Sequence, residues 1–202
     1  LQPGKLRQST DFDEPMAESG EHDVTQLIAS WRAGNEAARE LLMSLVYANV
    51  RAIAGQSLRQ MPGATLSATD LAHEALIRML GTDAPWESRK HFYHVVAQAT
   101  RQVLVDGARK RMAQKRGSGA EHVELDAALD LGTLQSDSTL VRLNGALDEL
   151  ADNHSRRAQM VELVYFGGLN RIEVAATLEV SEGTVDRDLR LARAWLRAAL
   201  EA

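Results

Sequence analysis

The chain has no cysteine, which excludes a disulfide scaffold and thiolate metal sites and fits a reducing compartment. Aromatic residues make up only 4 %. Ala, Leu, Arg and Glu dominate instead, which favours helices over strands. No apolar run approaches the ~20 residues that a membrane-spanning helix needs. No basic segment followed by an apolar one opens the chain, as a secretory signal requires. A soluble, cytoplasmic protein without membrane contact is the expectation. Glycine-rich phosphate loops and nucleophile motifs are missing too. His91 and His94 stand close together, and His73 adjoins Glu74, but no third ligand falls at a metal-binding spacing. Neither an enzyme, a metal site nor a cofactor is expected.

What is present is a chain of 202 residues with 45 % hydrophobic side chains, enough for one large domain or two small ones. The formal net charge of −5 argues against nucleic-acid binding only when read globally. Residues 24–116 hold 13 basic and 7 acidic side chains, a net of +6. Residues 117–137 hold 5 acidic side chains and no Lys or Arg. Residues 1–23 have a net of −4 and residues 138–202 a net of −2. A basic block followed by an acidic linker is informative where the total is not.

Residues 1–15 show no periodicity and precede Met16, as upstream sequence would, and the polar stretch to Asp23 is expected to be disordered. From Val24 the pattern turns helical. Asp23 can cap a helix carrying Val24, Leu27, Ile28 and Trp31, ended by Gly34. Asn35 can cap a second, with Ala38, Leu41, Leu42, Leu45, Val46, Val50, Ile53 and Ala54 inward. Pro62 and Gly63 break the pattern. A third helix runs from about Thr69 to Leu80, with Leu71, Ala75, Leu76, Met79 and Leu80 inward. Gly81 to Trp86 forms a loop. A fourth helix starts near Ser88 and reaches toward Gln114, burying Phe92, Val95, Val96, Ala99, Val103 and Leu104. The linker from Gly117 to Asp137 has room for one short helix around Leu125–Leu131. Further helices are expected at about 139–151, 155–166, 171–178 and 182–200.

The sharpest motif lies between Asn170 and Arg190. Ile172, Ala175, Ala176 and Leu178 form a short apolar stripe, Val180 fills the gap, and Ser181 caps the next helix. Val185, Leu189 and Ala192 bury the inner face of that helix. This is a helix-turn-helix pattern, in which a short helix braces a second that enters the major groove. Glu182, Thr184, Arg187 and Arg190 then face bases or phosphates, and Arg can fork onto guanine or phosphate.

Upstream, Asp70-Leu-Ala-His-Glu-Ala-Leu-Ile-Arg78 places Asp70, His73, Glu74, Ile77 and Arg78 on one helical face. The segment resembles the sigma-factor helix that docks on the clamp coiled coil of RNA polymerase, commonly D-L-V-Q-E-T-F-L-R-L-W, with His73 in place of Gln. The next helix presents Lys90, His94, Gln98, Arg101 and Gln102 opposite its apolar face and ends in Arg109, Lys110 and Arg111. With the order of the two modules, the chain resembles a sigma factor of the extracytoplasmic-function group. Its A-T-L-S-A-T-D-L-A-H-E-A and Y-F-G-G-L wording looks like the subgroup encoded near serine/threonine kinases.

The resemblance implies an all-α fold of two helical domains. A sigma-2-like four-helix domain at 24–116 would bind the polymerase clamp and the minus-ten element. A sigma-4-like helix-turn-helix domain at 138–202 would bind the minus-thirty-five element, and the acidic linker at 117–137 would join them. It implies core RNA polymerase and promoter DNA, both duplex and melted strand, as partners of a chain that is monomeric when free. In the melted strand Lys90, His94, Gln98, Arg101 and Gln102 would read bases or hold phosphates, Arg109, Lys110 and Arg111 would neutralise phosphates, and Trp86 would stack on a base. An alternative for Trp86 is a lid on the core.

Two departures stand out. Where many members have the acidic order D-A-E-D, this chain reads Ser67-Ala-Thr69-Asp70. A phosphoryl group supplies about the charge that is missing, −1.5 to −2, so Thr69, then Ser67 and Thr65, are candidate sites for a Ser/Thr kinase; plain helix caps are the alternative. Asp186 and Asp188 also occupy recognition-helix positions where basic or neutral residues are usual. A conventional helix-turn-helix regulator acting without polymerase is the rival function, and it leaves the clamp-like third helix without a role.

Overall fold

The computed structural model describes residues 24–59, 67–80, 86–115 and 136–201. Among the described residues there are seven helices and no strand: α1 (Val24–Arg32), α2 (Glu36–Arg59), α3 (Ala68–Leu80), α4 (Arg89–Lys115), α5 (Asp137–Tyr165), α6 (Arg171–Leu178) and α7 (Glu182–Glu201). The expected disorder of 1–23, the break at Pro62 and Gly63, the loop from Gly81 to Pro85 and the linker helix near Leu125 lie outside the described residues.

The helix ends follow local chemistry. α1 stops at Gly34, whose φ of +94° is left-handed and so favours glycine. The Asn35 carboxamide then accepts from the N–H of Ala37 at 3.1 Å, capping α2. Ala38, Leu42, Val46, Val50 and Ala54 form one buried stripe along α2, whereas Leu41, expected inward, is exposed.

α4 departs from the amphipathic template. Val103, Leu104 and Val105 are consecutive and all buried, because α4 packs against α2 and α3 on one side and against α5 on another. The α4–α5 contact is the most extensive between any two helices. The N-terminal four helices and the C-terminal three are therefore packed together rather than held only by the linker.

α5 spans both helices expected at 139–151 and 155–166. It is broken at His154, whose φ of −146° and ψ of 61° are non-helical. Just before the break the Asn153 side chain donates to the carbonyl of Glu149 at 2.8 Å, satisfying one acceptor freed at a helix end. At the start of α5 the Ser136 hydroxyl accepts from Thr139 N–H at 3.1 Å, and Asp137, assigned by sequence to the linker, lies in the first turn of the helix.

After α5 comes Phe166-Gly-Gly-Leu169. A Cβ on Gly167 would stand 2.5 Å from the Leu163 carbonyl oxygen, and Gly168 has φ +70°, so the turn requires both glycines. The carbonyl of Gly167 accepts from the Asn49 side chain on α2 at 2.5 Å. α6 begins with a full capping box between Asn170 and Glu173. α7 begins with the Ser181 hydroxyl accepting from Thr184 N–H at 3.2 Å.

Candidate nucleic-acid and polymerase interface

On α7 the stripe Val185, Leu189, Ala192, Leu196 and Leu200 is buried, which fixes the outward face. Glu182, Arg187 and Arg190 are exposed, while Thr184 is half-buried and its hydroxyl pairs with Ser181 at 2.9 Å. The two aspartates have separate roles. Asp186 is exposed and meets Arg171 of α6 at 3.0 Å. Asp188 is turned inward, its side chain only 2 % exposed, and meets Arg156 at 2.7 Å and Arg157 and Arg187 at 3.8 Å each. Sequence reasoning selected neither Arg156 nor Arg157. The signal was present: Asp188 falls three residues after Val185 and four before Ala192, inside the buried stripe, where a carboxylate needs a counter-charge.

On α3, Asp70, His73, Glu74 and Ile77 are all exposed, and Ile77 is the most exposed large hydrophobic residue described, at 64 %. The fifth member, Arg78, is half-buried and clasped by Glu74 at 3.2 Å and by Asp106 of α4 at 3.0 Å. His73 rests on the Tyr47 ring of α2, 5.3 Å between centroids. The face is thus an exposed apolar side chain among polar groups on a braced helix.

Ser67 is the N-terminal cap of α3. Its hydroxyl donates to the Asp70 carboxylate at 2.8 Å and accepts from Asp70 N–H at 3.1 Å, while its own N–H reaches the same carboxylate at 2.9 Å. The backbone and hydroxyl bonds from Ser67 hold the Asp70 carboxyl below its ordinary pKa, with a further contribution from His73. Thr69, half-buried, lies in the first turn. Thr65 lies outside the described residues.

The residues expected to face melted DNA fall into two groups. Lys90, Gln98, Gln102, Arg109 and Lys110 are exposed. Trp86 is buried, with Trp31 and Phe92 packed edge-on at 5.0 and 4.8 Å, so it is a core lid and neither ring face is open to a base in this conformation. His94 is half-buried. Arg101 is turned into the α4–α5 contact, where Asn144, Asp148 and Glu162 bind its guanidinium. Arg111 is buried and paired with Asp137 at 2.7 Å. The acidic partners of both arginines come from α5, which is why α4's own sequence gave no sign of them.

Among the described residues no three potential ligands cluster to hold a metal ion, and no described helix is long and apolar enough to cross a membrane. A family model described as ECF sigma factor matches residues 21–202. No curated protein and no solved structure matches the chain.

Proposed function

The chain belongs to the ECF sigma factor family, a family that acts in transcription initiation with core RNA polymerase and promoter DNA, and from that premise we propose how its surfaces divide the work. Residues 24–116 serve as the clamp- and minus-ten-binding domain, and residues 138–202 as the minus-thirty-five-binding domain. α3 meets the polymerase clamp through Asp70, His73, Glu74 and Ile77, with Arg78 bracing the helix against α4. α7 enters the major groove with Glu182, Thr184, Arg187 and Arg190 at its leading end. The exposed part of α4, Lys90, Gln98 and Gln102, takes the melted strand, and Arg109 and Lys110 its phosphates.

The observation that carries this reading is the coexistence of two exposed, structurally braced faces in one chain. A regulator acting on duplex DNA alone has no use for an exposed Ile77 ringed by Asp70, His73 and Glu74. The deciding experiment is run-off transcription with core polymerase, together with co-purification of the two. Promoter-directed transcripts support the reading. Duplex binding without polymerase association would assign the chain to the conventional regulators. The free protein is monomeric on this reading, because the α3 face is completed by polymerase and the α7 face by promoter DNA rather than by a second copy; a tight dimer in sedimentation at micromolar concentration would count against it.

Activation by a serine/threonine kinase completes the proposal. Support comes from the first turn of α3, where acids are missing from a surface that meets a basic partner. Thr69 suits a phosphoryl group better than Ser67, because the Ser67 hydroxyl is already spent on the cap and lies 2.8 Å from the Asp70 carboxylate. A dianion there would repel Asp70 and break the cap. At Thr69 it gains from the free N–H groups and dipole of the helix start.

A further inference from the structure

We infer that Arg156, on α5 and outside the helix-turn-helix, is a DNA-phosphate ligand, held beside Arg187 by the buried carboxylate of Asp188. The inference rests on the reading of α7 as the helix that enters DNA.

The geometry begins with the one buried acid of the recognition helix. Oδ2 of Asp188 accepts from Nε of Arg156 at 2.9 Å and lies 2.7 Å from Nη2 of the same side chain. This is a forked, charge-assisted pair. Oδ1 lies 3.8 Å from Nε of both Arg157 and Arg187. A single carboxylate, 2 % exposed, thus gathers three guanidinium groups around it. One negative charge cannot neutralise three positive ones, and the surplus lies where water reaches it. The Arg156 side chain is 56 % exposed and that of Arg187 63 %, while Arg157 is 29 % exposed.

Both exposed guanidinium groups lie against one carboxylate, so Arg156 is held to the same acid as Arg187, a residue on the outward face of α7. Arg has five N–H donors, and only the Nε and Nη2 edge of Arg156 is turned to Asp188, so further donors remain. A planar cation whose position is set by a buried acid gives up little freedom on meeting an anion. The anion next to an α7 seated in a groove is the phosphodiester backbone. Contacts of this kind fix the register of a protein on the duplex and are indifferent to sequence, leaving the base edges to Arg187 and Arg190. Asp188 is then a positioning residue: it lies inside the fold, touches no DNA, and acts through Arg156 and Arg187.

The test measures binding of the full chain to a mixed-sequence DNA duplex of about thirty base pairs, across a salt series. Arg156→Ala is expected to weaken binding and to make the plot of log affinity against log salt shallower by about 0.9, the loss of one phosphate contact. Arg156→Lys, which keeps the charge but not the fork, should fall between. Asp188→Asn gives a readout that simple charge counting does not: removing a negative charge near DNA should tighten binding, whereas loss of positioning weakens it. In the Asp188→Asn background, Arg156→Ala should cost less than it does alone. Arg190→Ala tells the two readings apart. If Arg190→Ala weakens binding while Arg156→Ala leaves affinity and salt slope unchanged, the phosphate role of Arg156 is overturned and α7 keeps its place. If neither matters, both fall. Arg156→Ala leaves Arg157 and Arg187 beside the buried Asp188. Circular dichroism of each variant checks that the fold is kept, and Arg156→Lys, which keeps a counter-charge on Asp188, carries the test if Arg156→Ala does not fold.

Discussion

The guanidinium of Arg101 on α4 is paired with the carboxylate of Glu162 on α5, and the two side chains are only 11 % and 12 % exposed. Asn144 adds a bond to Nε at 2.9 Å, and Asp148 binds the other terminal nitrogen. Removing one partner of such a pair strands the other without water or counter-charge, at a cost of roughly 3–5 kcal/mol. Arg101→Ala should therefore lower the thermal midpoint sharply, while Arg101→Met with Glu162→Met should lower it much less, since the desolvated charges leave together. Equal losses in thermal denaturation would show that the pair contributes as bulk rather than as charge.

The same contact sets a geometric condition on promoter binding. Sites centred at minus ten and minus thirty-five are about 85 Å apart at 3.4 Å per base pair, whereas α4, at 27 residues, is only about 40 Å long. On the proposed division of the DNA contacts, two domains packed through α4 and α5 fall short of that span, so the packing is expected to open on the promoter. The chain has no cysteine, so Ser44→Cys on α2 with Ala194→Cys on α7 gives two clean labelling sites at exposed positions outside the proposed binding faces. Energy transfer between the labels should fall when core polymerase and promoter are added. A label distance that stays the same would show the α4–α5 contact intact in the complex.

Asp70 offers a pH-dependent check on the α3 cap. Its folded pKa is depressed by Ser67. Its contribution to stability is therefore present above the ordinary carboxylate range and disappears as pH falls through the folded value. A side-chain NMR titration should place the Asp70 midpoint below that of an unstructured aspartate. Ser67→Ala should move it part of the way back, because the hydroxyl is lost while the backbone N–H remains. A midpoint indifferent to Ser67→Ala would remove the hydroxyl bond from the account.

Local signals were legible in the sequence because they act within a few residues. Asn35 and Ser181 were readable as caps, and Gly34 as the end of the first helix. The α5 pattern even showed two helices, and His154 is where they separate. Contacts made across long separations were not legible. Arg101 and Arg111 stand among polar neighbours on α4, so a single-faced helix template turns them toward solvent; their partners Glu162 and Asp137 lie on a helix that the template could not place there. Trp86 illustrates the same limit, since nothing local to it announces that Trp31 and Phe92 will close over its ring. Asp188 was a different case: its place in the buried stripe was visible, and only the arginines that answer it had to come from the fold.

The proposed phosphorylation of Thr69 can be tested apart from the cap chemistry beside it. Thr69→Ala removes the hydroxyl but leaves the Ser67–Asp70 box intact, so the helix should keep its stability while kinase-dependent transcription is lost. Thr69→Glu places an acid in the first turn, where the helix dipole favours it, and should restore part of the activity without kinase, with about half the charge of a phosphoryl group. The double variant Ser67→Asp with Thr69→Glu supplies more charge but sets a second carboxylate against Asp70, whose oxygen lies 2.8 Å from the present hydroxyl. If missing charge is what limits polymerase binding, the double variant should still exceed Thr69→Glu in run-off transcription, at lower thermal stability. If the cap geometry matters more, Thr69→Glu alone should be the better factor. Unmodified wild type transcribing as well as either variant would remove the switch and leave the family assignment untouched, because the α3 face and the α7 arginines do not depend on it.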